Sequence, residues 1–350
     1  MTDPQGYYYR PLVQWGRPRP EGTLALAGGP LWFAHVERLE RRTRGRAGEI
    51  IAAEALPGDV REALTAPRAP VAGIDLMRPG ARIMGILNVT PDSFSDGGRH
   101  LAPERAIEHA RAMRDAGAGI IDIGGESTRP GAREVPAEAE TARVLPVIEA
   151  LSREGIGPIS IDTRKAGVAR AALSAGASIV NDVSAMLHDP AMAEVVAGAG
   201  APVCLMHAQG SPETMQQAPH YDDVVLDVYD HLAARIAAAE AAGIAKSRII
   251  LDPGIGFGKT IAHNLALLRA LSLFHALGCP LLLGVSRKRF IGALGGGAAL
   301  EDARARMPGS AALAIIAMQQ GVQILRVHDI AETQQALALA LAVMLEETDA

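Results

Sequence analysis

An α/β fold is what this sequence predicts: a (β/α)8 TIM barrel carrying an N-terminal extension of mixed short elements. Three observations predict it. Eight apolar runs of strand length alternate with eight helix-like segments from residue 81 to residue 346. The strand runs are almost continuously hydrophobic, as strands covered on both faces by crossover helices are. A polar or charged residue stands at the C-terminal end of each run. A doubly wound open sheet would alternate in the same way, and the count of eight favours the barrel.

The whole chain sets the limits. Its 350 residues are 49% hydrophobic and 21% charged, enough for a sizeable core in a globular protein. A net charge of −5 and a pI near 6.1 argue against nucleic acid or an anionic membrane as partner. Cys204 and Cys279 both lie in apolar runs, so no disulfide framework is expected and a cytoplasmic location fits. The start has no basic segment followed by an apolar one, and no apolar run reaches membrane-spanning length.

Residues 1–78 read as an extension of unknown role, and residues 79–350 as the barrel domain. The extension holds Trp15, Trp32, Tyr7, Tyr8 and Tyr9, with strand-like pieces at 23–27 and 31–36 and a helix-like piece at 47–56. Arg38, Arg41, Arg42, Arg44 and Arg46 suggest either a phosphate or RNA patch or, the favoured reading, a solvated face broken by Glu37, Glu40 and Glu49. Pro67, Pro70, Gly73, Pro79 and Gly80 give 67–80 the look of a linker.

Strand-like runs then follow at 82–87, 119–124, 158–161, 178–181, 202–207, 248–251, 280–285 and 323–327. Helix-like segments separate them at 103–116, 136–153, 165–175, 190–199, 221–242, 261–277, 302–320 and 331–346, most of them closing on glycine. The first strand hands over to Asn88-Val-Thr-Pro-Asp-Ser-Phe-Ser-Asp-Gly-Gly98. Pro91 and the run of small polar residues exclude strand or helix there. The later strands end at Glu126, Asp162, Asn181-Asp182, His207, Asp252, Ser286-Arg287-Lys288 and Arg326-Val-His328. In a barrel these ends share the face that carries catalysis.

Duller roles exist for several of them. Asp162, Asn181 and Asp182 could cap helices, and Asp252 before Pro253-Gly254 could be a turn residue. Arg326 and His328 are harder to dismiss. Two apart on a strand they share a face, while Leu325 and Val327 take the other. An interior guanidinium without an anionic partner costs several kcal/mol, so this pair implies a negatively charged ligand. Gly254-Ile-Gly-Phe-Gly-Lys-Thr260 resembles a phosphate-cradling loop, but proline at 253 breaks that motif, and no Gly-x-Ser-x-Gly elbow makes Ser286 a triad nucleophile. No Cys/His spacing suggests zinc.

The loop 88–98 together with Gly124-Gly-Glu-Ser-Thr-Arg-Pro-Gly131 resembles the signature pair of bacterial dihydropteroate synthases, pterin-binding TIM-barrel enzymes. The likeness continues through Ser160-Ile-Asp-Thr163, Asn181-Asp-Val-Ser184, Leu205-Met-His207, Asp252–Lys259, Ser286-Arg-Lys288 and Arg326-Val-His-Asp329. It covers residue 81 to the C-terminus and leaves out the extension.

The resemblance implies a transferase of folate biosynthesis. It would condense 6-hydroxymethyl-7,8-dihydropterin diphosphate with 4-aminobenzoate, giving 7,8-dihydropteroate and pyrophosphate. It further implies that Asp162, Asn181, Asp252, Lys288 and Arg326 bind the pterin. Two carboxylates and an amide suit the pterin's donor-rich edge. Asn88, Arg326 and His328 would contact pyrophosphate, with Asn88 also at Mg2+, the expected cofactor. Asp96 would face a pterin-methylene cation, and Phe94, Thr128, Arg129, Pro130, Phe257 and Ser286 would enclose 4-aminobenzoate. Arg164, where relatives carry a smaller residue, is expected to point outward. A homodimer is implied, with 311–318 and 337–345 either supplying an interface or packing on the barrel, and sulfonamides are expected to compete with the arylamine. The competing readings are a corrinoid-dependent pterin methyltransferase, which lacks both loop motifs, and a non-catalytic pterin-binding paralogue.

Overall fold

The computed structural model describes residues 6–41, 48–90, 102–127, 131–132, 134–210 and 214–345. Eight parallel strands form the central sheet: β6 (Arg82–Asn88), β7 (Ile120–Gly124), β8 (Ile159–Asp162), β9 (Ile179–Asp182), β10 (Val203–Met206), β11 (Ile249–Asp252), β12 (Leu282–Leu283) and β13 (Ile324–Val327). They hydrogen-bond in the order β11-β10-β9-β8-β7-β6-β13-β12, and a parallel bridge from Leu251 to Leu281 joins the two ends. The result is the predicted α/β TIM barrel, with small antiparallel sheets before it.

Outside the strands lie α2 (Ala102–Asp115), α3 (Ala137–Arg153), α4 (Ala166–Ser174), α5 (Met192–Ala199), α6 (Val224–Ala241), α7 (Ile261–Arg269), α8 (Arg289–Gly295), α9 (Met307–Gln319) and α10 (Ile330–Leu345). The helix expected over 261–277 divides at Ala270, and Leu271–Leu277 continues as a 3-10 turn. Helix α8 has no counterpart among the predicted segments. It is seven residues long and includes Gly292 and Gly295, too short for a periodic signal.

The period-two alternation of a strand explains both layers of the core. Ile83, Leu87, Ile121, Ile123, Ile161, Val180, Leu205, Leu251 and Leu325 belong to the large cluster shared with the helices. The opposite parity builds a second cluster of Met84, Ile120, Ile179, Cys204, Ile250, Leu282 and Ile324, which floors the barrel interior. Val71 (0% exposed) and Leu76 complete that floor, with Val71 bridged to Ile74 in a tight turn. The stretch expected to be a linker is therefore a plug. Its prolines and glycines make the turn, while Val71 and Leu76 supply the apolar surface.

In the extension, β1 (Tyr7–Pro11), β4 (His35–Glu40) and β5 (Glu49–Ala52) pair antiparallel in the order β1-β4-β5. Strands β2 (Leu24–Ala25) and β3 (Trp32–Phe33) form a second sheet, and α1 (Gly58–Thr65) follows. The helix expected over 47–56 is instead strand β5 and a 3-10 turn. Pairing of Ile50 and Ile51 with Glu37 and Val36 overrides the helical preference of the alanines around them.

The extension docks on the barrel through polar ties. Tyr8 donates from its hydroxyl to Asp230 at 2.9 Å, and Ser272 donates to the carbonyl of Pro11 at 2.9 Å. Arg68, 4% exposed, donates to the carbonyls of Ala63 and His275. Arg38 pairs with Glu49, and Arg41 with Asp227 and Asp230, so these two arginines bind the chain's own carboxylates. Arg42, Arg44 and Arg46 lie outside the described residues.

Candidate active site

Above the floor, the same inward parity delivers Ile86 and Asn88 from β6, Asp122 and Gly124 from β7, and Ser160 and Asp162 from β8. It adds Asn181 from β9, Asp252 from β11 and Arg326 from β13. These positions run toward the C-terminal mouth, and their chemistry turns from apolar to ionic on the way.

Arg326 is the centre of the cluster. Its Nε donates to Asp122 Oδ2 at 2.6 Å, and its Nη2 donates to Asp162 Oδ2 at 2.7 Å. The expectation of a guanidinium lacking an anionic partner is thus corrected: two carboxylates, from β7 and β8 across β6, already hold it. Burial would lower its pKa, but Asp122 and Asp162 more than offset this and raise it, so it stays charged. One positive charge shared between two acids leaves an excess of negative charge. Asp162 accordingly rises to about 7, mainly through burial, with Arg326 only partly opposing the rise and Asp122 adding to it.

Asp122 was not anticipated from the sequence. Asn181 donates to its Oδ2 at 3.2 Å, so this one oxygen serves both the arginine and the amide. The other oxygens, Asp122 Oδ1 and Asp162 Oδ1, are buried and have no hydrogen-bond partner among the described residues, and the same holds for Ser160 Oγ. Buried polar atoms are normally hydrogen-bonded, so acceptors placed in this way call for a donor.

The duller roles resolve residue by residue. Asp182 is a turn residue, accepting from the amides of Ser184 and Met186 at 2.8 and 2.7 Å. Asp162 and Asn181 are not caps; α4 begins after Lys165 with no side-chain cap. Asp252 does brace its turn, accepting from the Gly254 amide at 2.7 Å through Oδ1. Its Oδ2 stays on the barrel side, where a Cβ placed on Gly284 would lie 3.9 Å from it and 3.9 Å from Arg326 Cβ.

Lys288 donates to the carbonyl of Ile255, and its ammonium sits 4.2 Å from the centre of the Phe257 ring. Burial brings Lys288 down to about 8, against the pull of Asp252. Ser286 Oγ accepts from the His328 amide at 3.2 Å and lies 3.1 Å from Nδ1 of the same residue. That contact orients the imidazole. Asn88, half-buried at the end of β6, has Gly124 as its neighbour, and no hydrogen bond ties its amide to another described residue. Phe94, Asp96, Thr128, Arg129 and Pro130 lie outside the described residues.

Arg164 does not point outward. Its side chain is 11% exposed and donates to Glu126 Oε1 at 2.5 Å. Glu126 also receives Lys165 and the amide of Val135, and Lys165 reaches Glu140 at 2.6 Å. The buried Glu126 and Glu140 together require two cations, and Lys165 alone is not enough.

Residues 84–328 match a family model described as pterin binding enzyme. The dihydropteroate synthase of Escherichia coli (strain K12) is 50% identical over 271 residues, 77% of this chain and 94% of that protein.

The chain belongs to the dihydropteroate synthases.

Among solved dihydropteroate synthases, the Xanthomonas albilineans enzyme with 4-aminobenzoic acid superposes with a TM-score of 0.73. It is 50% identical, over 80% of this chain and 98% of its own. The Yersinia pestis enzyme, in complex with a sulfonamide drug, gives a TM-score of 0.73 at 48% identity, over 79% of this chain and 98% of its own.

The dihydropteroate synthase family also implies Mg2+. Among the described residues no three His, Cys, Asp or Glu side chains gather into a metal site. A magnesium ion that takes one or two protein ligands and fills the rest with phosphate and water needs no such cluster. The untied amide of Asn88 at the mouth fits that need. No helix among the described residues is long and apolar enough to cross a membrane.

Proposed function

We propose that this synthase condenses 6-hydroxymethyl-7,8-dihydropterin diphosphate with 4-aminobenzoate at the barrel mouth, releasing pyrophosphate. The observation that carries the residue assignment is the pair of buried acceptors, Asp122 Oδ1 and Asp162 Oδ1, that have no partner among the described residues and lie beside Asn181. A ring bearing an amine and an N–H on one edge would satisfy them, as few ligands could. Asp252 Oδ2 lies within reach of the same ligand, and Lys288 would donate to its acceptor side.

Arg326 serves two purposes in this reading. Its carboxylate partners hold the plane fixed, and the side chain remains 21% exposed, which suits stacking on the pterin. Nη1, with no hydrogen bond to another described residue, would meet the diphosphate. His328, oriented by Ser286, would donate to the same group, and Asn88 would hold Mg2+ there. The metal, when bound, neutralises charge that develops on the departing pyrophosphate. The leaving group departs first, leaving a pterin-methylene cation that Asp96 would face. The arylamine is neutral at pH 7 and attacks without a strong base. The Ser286–His328 pair therefore needs no third member.

Phe257 and Ser286, with Phe94, Thr128, Arg129 and Pro130, would enclose 4-aminobenzoate. A sulfonamide should raise the KM for 4-aminobenzoate and leave that for the pterin unchanged; competition with the pterin instead would reverse the pocket assignment. We further place residues 79–350 as the catalytic domain, with 1–78 an extension that contributes its floor plug. The two buried, unpaired cysteines suit a reducing cytoplasm. A homodimer would cover Ile316 of α9 and Leu339 and Val343 of α10, which are 43%, 67% and 71% exposed. Leu339→Glu should then give a monomer in sedimentation, whereas an unchanged dimer would place the interface elsewhere.

A further inference from the structure

The glycine-rich segment after β11, residues 253–258, folds around its own lysine. All five carbonyls from 254 to 258 accept hydrogen bonds from side chains. Gly254 and Phe257 receive Lys259 Nζ at 2.8 and 3.0 Å, and Ile255 receives Lys288. Gly256 receives Gln216 at 2.7 Å, and Gly258 receives the Tyr221 hydroxyl at 2.7 Å. In a phosphate-cradling loop the amides converge on an anion. Here carbonyls converge on the amino group of Lys259.

Lys259 is 3% exposed, and its remaining partner is His207, through Nδ1 at 2.8 Å and the carbonyl at 3.3 Å. Burial, then the charge of Lys259, lowers His207 to about 2, so its ring is neutral and Nδ1 accepts. The Lys259 amino group thus faces four acceptors: Gly254 O, Phe257 O, His207 Nδ1 and, at 3.3 Å, His207 O. The glycines permit this packing. Gly254 has φ +69°, and a Cβ there would lie 1.8 Å from the His207 carbonyl oxygen.

The ties are unequally replaceable. Gly254 O also accepts from the Phe257 amide at 3.2 Å, and Gly254 N stays on Asp252. Phe257 O has Lys259 as its donor among the described residues, while the Phe257 ring lies against Lys288. Loss of the lysine would therefore release Phe257 more than Asp252. We infer that Lys259 is a positioning residue for the arylamine side of the site, holding the Phe257 backbone so that its ring forms the pocket wall. This rests on the reading above that Phe257 borders 4-aminobenzoate.

The test is steady-state kinetics on Lys259→Met in the full chain, with pterin diphosphate affinity measured separately. The KM for 4-aminobenzoate should rise about tenfold, the cost of one or two lost hydrogen bonds, with kcat and pterin affinity within about threefold. In a Phe257→Ala background the same substitution should add less than about twofold, because the group it positions is gone. Equal losses for both substrates, or effects that add fully with Phe257→Ala, would overturn the inference. Should Lys259→Met fail to fold, Lys259→Gln keeps two donors on a shorter side chain. It should show the same split at smaller size, and an unchanged arylamine KM there would also overturn the idea. Wild-type protein without arylamine-dependent turnover would instead refute the functional reading, which separates the two failures.

Discussion

Binding of a pterin should release a proton from Asp162. The carboxyl stands at about 7 in the protein alone, against 3.8 ordinarily, chiefly because it is buried. That displacement corresponds to on the order of 4 kcal/mol against the ionised form. Because the folded value lies above the unfolded one, the group's contribution to stability is complete below pH 4 and is lost as pH rises to 7. A pterin N–H aimed at Asp162 Oδ1 favours the carboxylate and pulls its pKa back down. At pH 7 roughly half a proton should leave per ligand bound, and almost none at pH 9. The assay is titration calorimetry with 6-hydroxymethyl-7,8-dihydropterin, which lacks the titrating diphosphate, in buffers of different ionisation enthalpy. Asp162→Asn should abolish the release and weaken binding, since an amide cannot accept as a carboxylate does. A heat independent of buffer at pH 7, or release that survives in Asp162→Asn, would refute the reasoning.

Other substitutions separate the roles of neighbouring groups. Asp122→Asn should weaken pterin binding and lower stability by about 3 kcal/mol, because it breaks a buried ion pair on one side; denaturant unfolding and pterin titration check both. Arg326→Met should cost more affinity for the pterin diphosphate than for the pterin alone, and equal losses would remove the anion from its role. Arg164→Ala should lower stability by on the order of 3 kcal/mol by leaving Glu126 and Glu140 with one cation between them. A change below about 0.5 kcal/mol would return Arg164 to an ordinary surface position. Val71→Ala should cost about 2 kcal/mol at the barrel floor without altering either KM.

Much of this architecture could be read from the chain, because barrel strands are local apolar runs and their polar ends are adjacent in sequence. Asn181, Asp252, Lys288 and Arg326 were each visible as a strand's last word. Asp122 was hidden inside a run of isoleucines. The available signal was its parity: it shares a face with Gly124 and Ile120, so an acid was being sent into the barrel. Its partnership with Arg326, 204 residues away, leaves no local trace. The same limit explains Arg164, whose partner Glu126 lies on another strand's loop. In strand β5 alanine-rich flanks mask two isoleucines whose pairing is decided by β4. The floor plug leaves no sequence signal of its own, because two buried apolar side chains among prolines and glycines look like any turn.

Pyrophosphate release on mixing the pterin diphosphate, 4-aminobenzoate and Mg2+ tests the central claim most directly. The account predicts sustained turnover that depends on the arylamine, with one pyrophosphate formed for each 7,8-dihydropteroate. Turnover indifferent to 4-aminobenzoate, or pterin binding with no release at all, would contradict it.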